Sequence, residues 1–360
     1  MKIALVADWL PTFGGAEHVI AEFHALWPDA PIFTTIARRG HLGPLDEAHI
    51  RTSSLQPAYR ILRRHELLLP WMPRAMERMD LRGFDCIVSS SHAVGKGIVP
   101  PSNARHICYC HTPMRYAWEM EEDYLRDFGV PKMLHRTVRR FLKQMRRWDL
   151  TTAKRTDVFI ANSSATQERI KRVYGRESVM ISPPVHRRFF DTPLVQQGRS
   201  YYLAIGRFVP YKRFDLAITA ANTLGLPLKI SGSGQMEGAL RTMAGLTVEF
   251  LGRVRDEDLP ALYANAKAVL FPQVEDAGVV PLEAQACGTP VIALGKGGIL
   301  DAVRDGETGL FFSEQTSTSL CEAIVKFEKK TFYPEMIRDF AQQFSATRFR
   351  ERMRSVVEKM

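Results

Sequence analysis

The chain has 360 residues, 45% of them hydrophobic and 24% charged, and carries a formal net charge of +10. This balance excludes a disordered or fibrous chain, and the length suits two domains, each with its own core. No apolar run reaches the roughly 18 residues that a membrane span needs, and the surplus of positive charge calls for an anionic partner: nucleic acid, a nucleotide or lipid headgroups.

In chain order, "MKIALVADWL" reads as a first strand, because no cleavage site follows its short apolar run. Gly14 and Gly15 come next, immediately ahead of a helical pattern with Val19, Ile20 and Phe23. Paired glycines let a backbone approach a phosphate or sugar at a helix N-terminus, and a plain tight turn looks the same. At 57–79, "PAYRILRRHELLLPWMPRAMERM" mixes bulky apolar and basic residues. "CIVSSS", "HICYCH" and "VFIANS" read as further buried strands of a parallel sheet. His111 closes the second of these, where it suits either a sugar hydroxyl or neighbouring backbone. The "CYCH" segment lacks the second ligand pair of a zinc site. The five cysteines, Cys86, Cys108, Cys110, Cys287 and Cys321, are an odd number in apolar contexts and suit a reducing cytoplasm.

Between the last two strands, residues 132–155 form a basic amphipathic helix, with Leu134, Val138, Phe141, Leu142, Met145 and Trp148 along one stripe. It suits contact with an anionic membrane on the inner face of the plasma membrane, or packing of the stripe on the protein's own core. Pro183 and Pro184 forbid a continuous helix, so the hinge is placed at 183–198. The second half starts again with "YYLAIG", "PLKISGSG", "TVEFLG", "AVLFPQ", "PVIALG" and "TGLFF" as strands, giving a second doubly wound α/β unit. The glycines of "SGSGQMEG" miss the dinucleotide spacing by one residue and are set aside as a cofactor signal. From Tyr333 the chain is helical without a further strand.

In open parallel sheets, ligands sit at the C-terminal ends of the strands. Arg207 and Lys212 follow one strand end and suit a diphosphate, one as a planar fork and the other as a mobile point charge. Glu275 lies in the loop after "AVLFPQ", and Pro281 predicts a helix start there with Glu283 in its first turn. Two carboxylates suit sugar hydroxyls, and the amides of Gly278, Val279 and Val280 suit phosphate or sugar oxygens. A Glu in a first helical turn also complements the dipole. Asp256, two residues after Val254, accepts from guanine N–H groups or caps the following helix.

The Glu-x7-Glu pattern running into "PLEAQACGTPVIA", "GR-x4-K" at 206–212, "GGAEHVI", "CHTPMRYAWE", "ISPPV" and "GGILDAVRDGETGLFF" resemble the retaining glycosyltransferases of family 4. That resemblance implies an α/β GT-B fold, two Rossmann-like doubly wound domains facing a central cleft. The domains expected are an acceptor-binding one at 1–182, the linker 183–198, a nucleotide-sugar domain at 199–332 and a last helix at 333–360 crossing back to the first domain.

Similarity is greatest to bacterial mannosyltransferases that use GDP-mannose to build polyprenyl-linked O-antigen or exopolysaccharide. It implies Glu283 on the ribose, Glu275 and His111 on the donor sugar, Arg207 and Lys212 on the leaving diphosphate, Gly14 and Gly15 near the phosphates and transferred sugar, and Val254 near the base. No metal and no cofactor is implied, the nucleotide sugar being a substrate. Asp276-Ala277-Gly278 replaces the family's usual Gly-Phe-Gly, and His186 stands where Asp is usual. A UDP-sugar donor, a nucleotide-sugar epimerase and a nucleic-acid-binding protein are the competing readings, the last lacking an aromatic platform or a helix-turn-helix.

Overall fold

The computed structural model describes residues 1–118 and 131–359. The end of the segment "CYCHTPMRYAWEMEED", beyond Trp118, lies outside the described residues. The chain groups into two compact units, Met1–Ser182 with Arg350–Met360, and Pro183–Phe349.

The first unit holds β1 (Ile3–Ala7), β2 (Ile32–Thr34), β3 (Ile50–Thr52), β4 (Cys86–Ser91), β5 (Arg105–Cys110), β6 (Val158–Ala161) and β7 (Ser178–Met180). They form one parallel sheet in the order β3-β2-β1-β4-β5-β6-β7. The three strands absent from the sequence reading, β2, β3 and β7, are three residues long. Two of them are edges with exposed side chains, so they lack the apolar run by which a strand is recognised.

The second unit holds β8 (Tyr201–Ile205), β9 (Leu228–Ser231), β10 (Val248–Gly252), β11 (Ala266–Phe271), β12 (Val291–Leu294) and β13 (Gly309–Phe312), ordered β10-β9-β8-β11-β12-β13 and all parallel. Alternate residues feed two separate cores. Tyr202, Ala204, Ala268, Leu270, Ile292 and Leu294 pack on one face, and Tyr201, Leu203, Val269, Phe271, Val291 and Ala293 on the other. Helices cover both faces, which is why the inner strands read as mostly apolar runs, broken only by single lysines such as Lys229 and Lys267. Each fully buried Leu, Ile, Val or Phe contributes roughly 1.5–3 kcal/mol to this packing.

Local signals set the helix ends. Ser163 Oγ accepts from Thr166 N at 3.1 Å to start the helix Ser164–Tyr174, and Gly175, at φ 64°, ends it. Gly225 ends Phe214–Leu224 in the same way. Gly232 and Gly234 have φ of 146° and 155°, and a Cβ on either would collide with the backbone of Gly206 or Phe208. The glycines of "SGSG" are thus explained by two loops packing backbone to backbone.

The basic helix spans His135–Ala153. Its stripe is used internally: Leu142 and Met145 are buried, while Phe141 and Trp148 pack on the first unit's core. Gly97 lies under Trp148, where any Cβ would strike the indole. Core packing therefore accounts for Phe141, Leu142, Met145 and Trp148 of that stripe, while Leu134 at its start is 46% exposed. Among the described residues no helix is long and apolar enough to cross a membrane.

The expected linker contains a short helix, Arg187–Phe190, whose Phe189 is buried in a core of the second unit. The expected last segment divides: Pro334–Ala341 packs its Ala341 on the second unit, and Arg350–Met360 groups with the first.

Candidate active site

In the second sheet β8 and β11 are neighbours, yet the chain leaves them in opposite directions, toward β9 and toward β12. This is the topological switch point, where the loops after two adjacent strands diverge and leave a crevice. The loop after β8 carries Arg207 and Lys212, and the loop after β11 carries Glu275.

Lys212 sits in the single turn Pro210–Lys212 and makes an ion pair with Glu275, joining the two sides of the switch point. Their side chains are 12% and 18% exposed. Gln273 Nε2 approaches the same Glu275 oxygen at 3.5 Å, and the Glu275 carbonyl accepts from Gly298 N at 2.9 Å, so the loop is anchored at its backbone. Arg207 is exposed, with its guanidinium 3.3 Å from Tyr211 Oη.

The helix after this loop spans Val279–Ala286, with Gly278 as its N-cap and no side chain capping it. It begins two residues before Pro281, so Glu283 lies in the second turn. First-turn dipole complementation therefore does not account for Glu283. Its Oε2 instead accepts from the buried Tyr263 hydroxyl at 3.0 Å. Burial pushes the Glu283 carboxyl up to about 7, against the opposing pull of Tyr263 and Arg188, with Asp256 adding a smaller upward push.

Val254 is half-buried and Asp256 exposed, both in the loop after β10. Asp256 lies 3.9 Å from Arg188 Nη2, and the next helix, Leu259–Ala264, has Asp258 rather than Asp256 at its N-cap. The capping reading of Asp256 therefore fails.

The first sheet has its own switch point between β1 and β4. Gly14, in extended backbone, is the N-cap of Gly15–Leu26. His111 follows β5, its Nε2 2.7 Å from Ser90 Oγ, and burial with the nearby His92 lowers it to about 3, so it is neutral at physiological pH. Beside it lies a carboxylate that sequence reasoning missed. Asp8 is 2% exposed and accepts from His92 N at 2.7 Å, Ala93 N at 3.2 Å and Ser91 Oγ at 3.0 Å, and also from Gly95 N. The imidazole Nδ1 of His92 is 2.9 Å from it. Burial alone would raise the Asp8 carboxyl, but His92 and these amides hold it below the usual range. A charged end to the first strand, in "VAD", is the one sequence signal for it.

A second buried pair, Lys96 with Asp149, joins the loop after β4 to the basic helix. Trp118 Nε1 and Tyr174 Oη donate to Asp149 Oδ2 at 2.8 and 2.9 Å. Among the described residues no group of three His, Cys, Asp or Glu is arranged to hold a metal.

The comparisons with known proteins follow this division. Residues 13–189 match the family model described as Glycosyltransferase Family 4, and residues 186–344 the model described as Glycosyl transferases group 1. The chain thus carries the two domains of the family 4 and group 1 glycosyltransferases, on two Rossmann-like sheets that match structures of the GT-B fold. Among curated relatives, the D-inositol 3-phosphate glycosyltransferase of Rhodococcus erythropolis is 39% identical over 43% of this chain and 42% of its own. That of Actinosynnema mirum is 31% identical over 47% and 48%. The chain thus spans less than half the length of these relatives. Among solved structures, Anabaena HepE in complex with UDP superimposes with a TM-score of 0.72 at 19% identity, covering 100% of both chains. Sucrose-phosphate synthase from Thermosynechococcus elongatus gives 0.74 at 18% identity, covering 100% of this chain and 99% of its own. At these identities the likeness is one of fold.

Proposed function

We propose that the protein is a retaining glycosyltransferase that moves a hexose from a nucleoside diphosphate donor to a glycan or polyprenyl-diphosphate-linked acceptor. The observation that carries this reading is the Lys212–Glu275 ion pair across the β8/β11 switch point, flanked by Arg207 and by the N-terminus of Val279–Ala286. As the bond from the anomeric carbon to the donor phosphate breaks, negative charge grows on the diphosphate. Lys212 exchanges its carboxylate for that charge, and Arg207 offers a second cation. The electron pair leaves with the nucleoside diphosphate, the acceptor oxygen bonds to the anomeric carbon on the same face, and the acceptor proton passes to the departing phosphate. No metal is required in this scheme.

Glu283 takes the ribose hydroxyls, Glu275 and the neutral His111 the donor sugar, Gly278, Val279 and Val280 its oxygens through their amides, and Val254 and Asp256 the base. Gly14 and Gly15 approach the phosphates and the transferred sugar. The sequence resemblance favours GDP-mannose as donor and a role in bacterial surface polysaccharide. UDP-sugars are the second reading, supported by the UDP and UDP-glucose complexes of the HepE structures.

Calorimetric titration of GDP, UDP and ADP into the wild type and Lys212→Ala, without added metal, tests both points. Binding of one nucleotide, weakened by about 1.5 kcal/mol or more in the variant, is expected of a charge-assisted contact. Nucleotide binding indifferent to Lys212 refutes the site.

Contact with an anionic membrane through the basic helix 132–155 belongs to the same reading, and a second surface suits it as well. The segment around Gln56–Leu62 and its sequel exposes Ile61 at 83%, Leu67 at 49% and Trp71 at 58%, interleaved with exposed Arg60, Arg63, Arg64 and Arg74. Apolar side chains among arginines suit the headgroup boundary. Co-sedimentation with anionic but not zwitterionic vesicles, lost in Ile61→Glu with Trp71→Glu, is the expected result. Binding unchanged in that double variant removes this surface from the reading.

A further inference from the structure

Arg188 has no part in the scheme above, yet its side chain is built into the second unit. It lies in the short helix Arg187–Phe190, whose Phe189 is buried with Tyr263 and Leu282 in one core, the two rings meeting edge-on at 5.9 Å. The Arg188 N–H donates to His186 Nδ1 at 3.2 Å, and its carbonyl accepts from Thr192 Oγ1 at 3.0 Å, so the backbone is held on both sides. The side chain leaves that anchor over the Phe189 ring, with the guanidinium carbon 4.9 Å from the ring centre.

What the guanidinium lacks is acceptors. Nε is buried and meets none among the described residues, and Asp256 Oδ2, 3.9 Å from Nη2, is too far for a hydrogen bond. A guanidinium carries five N–H donors in a flat fork, and a buried donor left unpaired is costly. Two carboxyls neighbour it, Asp256 and Glu283. Glu283 Oε2 is taken by the Tyr263 hydroxyl, which leaves Oε1 for a ligand. In the reading above, Glu283 receives the ribose hydroxyls and Asp256 the base.

Chemistry narrows what Arg188 meets. A phosphate here would face two carboxyls beside one guanidinium, and Arg207 and Lys212 already serve the diphosphate. The junction of ribose and base has what is missing. The O2′ hydroxyl can donate to Glu283 and accept from Arg188 at the same atom. Every nucleobase also carries an acceptor beside its glycosidic bond, N3 of a purine or O2 of a pyrimidine. Two neighbouring acceptors match a planar fork, which a point charge does not.

We propose that Arg188 is a further nucleotide-binding residue, its fork donating to the ribose O2′ and to the base acceptor beside the glycosidic bond. The proposal rests on the transferase reading and adds to its donor site a side chain that tells ribonucleotides from deoxyribonucleotides.

The test is calorimetric titration of the full chain with GDP, UDP, their 2′-deoxy counterparts and inorganic pyrophosphate. The proteins are the wild type, Arg188→Met, which keeps an apolar stem over Phe189, Arg188→Lys, which keeps the charge and loses the fork, and Lys212→Ala, with urea midpoints to confirm folding. For the ribonucleotide that the wild type binds, Kd is expected to rise about tenfold or more in Arg188→Met, the size of one lost hydrogen bond to a charged group, and less in Arg188→Lys. The rise is smaller for the 2′-deoxy form, and pyrophosphate binds both Arg188 variants as it binds the wild type. Equal losses for the ribo and 2′-deoxy forms, a parallel loss of pyrophosphate, or affinities indifferent to Arg188 in a protein whose nucleotide binding depends on Lys212, each overturn the proposal and leave the transferase reading standing. Should Arg188→Met not fold, the same comparisons in Arg188→Lys decide. If no nucleotide binds the wild type, the transferase reading falls and this proposal with it.

Discussion

At the end of β4 one ion pair is sealed, Lys96 with Asp149, 1% and 0% exposed, while the neighbouring Asp8, 2% exposed, pairs with a His92 that is 33% exposed. At the end of β8 and β11, Lys212 and Glu275 are 12% and 18% exposed, and Arg207 stands in solvent. A sealed pair has its desolvation compensated only while both members are present, so it fixes shape. A pair near water exchanges one partner for another with little penalty, so it is ready to receive an anion. The Lys96–Asp149 pair is therefore suited to holding shape, and the Lys212–Glu275 pair to a charged ligand that displaces a carboxylate.

Breaking a sealed pair should produce the largest effect. Lys96→Ala leaves Asp149 buried and uncompensated, which costs about 3–5 kcal/mol of stability, read as a shift of the urea midpoint. Lys212→Ala should leave that midpoint nearly unmoved and lower the rate of sugar transfer about a hundredfold, seen in kcat with saturating acceptor. If the two variants exchange these phenotypes, the contrast between the switch points is wrong.

Glu283 sharpens the comparison through pH. Its carboxyl is raised from the ordinary 4.5 to about 7, so the native state binds more protons than the unfolded one between these values. Its contribution is therefore fully present below pH 4.5 and lost as pH rises through 7. At pH 8, Glu283→Gln should then be more stable than the wild type by on the order of 2 kcal/mol, and the gain should vanish near pH 4. Equal stabilisation at both pH values would show that protonation is not the cause. The smallest effect is expected from Tyr263→Phe, about 1 kcal/mol in the urea midpoint. Because the Tyr263 hydroxyl pulls the Glu283 carboxyl down, its loss should raise that titration further, which ¹³C NMR of the carboxyl would follow.

Strands buried on both faces announce themselves, and the inner strands of the second sheet are visible as mostly apolar runs, while its edge strand β10 shows through alternation with the exposed Glu249. Ile50–Thr52 and Ser178–Met180 are visible only through their neighbours, because an edge strand takes its identity from the pairing it completes. The helix of Glu283 begins two residues ahead of the expected start, because Pro281, which suits N1, here occupies a later position of the first turn. Arg207, Lys212 and Glu275 were readable because each lies just after a strand. Lys212 and Glu275 are nevertheless 63 residues apart, so their pairing follows from β8 lying beside β11 and from no spacing. The same holds for Asp8 and His92, brought together by β1 and β4. Tyr263 reads as one more core aromatic until the fold sets its hydroxyl against Glu283.

The grouping of Arg350–Met360 with Met1–Ser182 has a consequence for how the chain is made. Arg350 meets Glu22 at 2.7 Å and Arg352 donates to the carbonyl of Met180, contacts that close only after the whole second unit has been synthesised. The second unit is a single uninterrupted stretch, whereas the first is interrupted by it and resumes only after Phe349. A chain cut ahead of Arg350 therefore keeps the second unit whole and leaves the first without a piece that packs on it, an asymmetry that limited proteolysis would read.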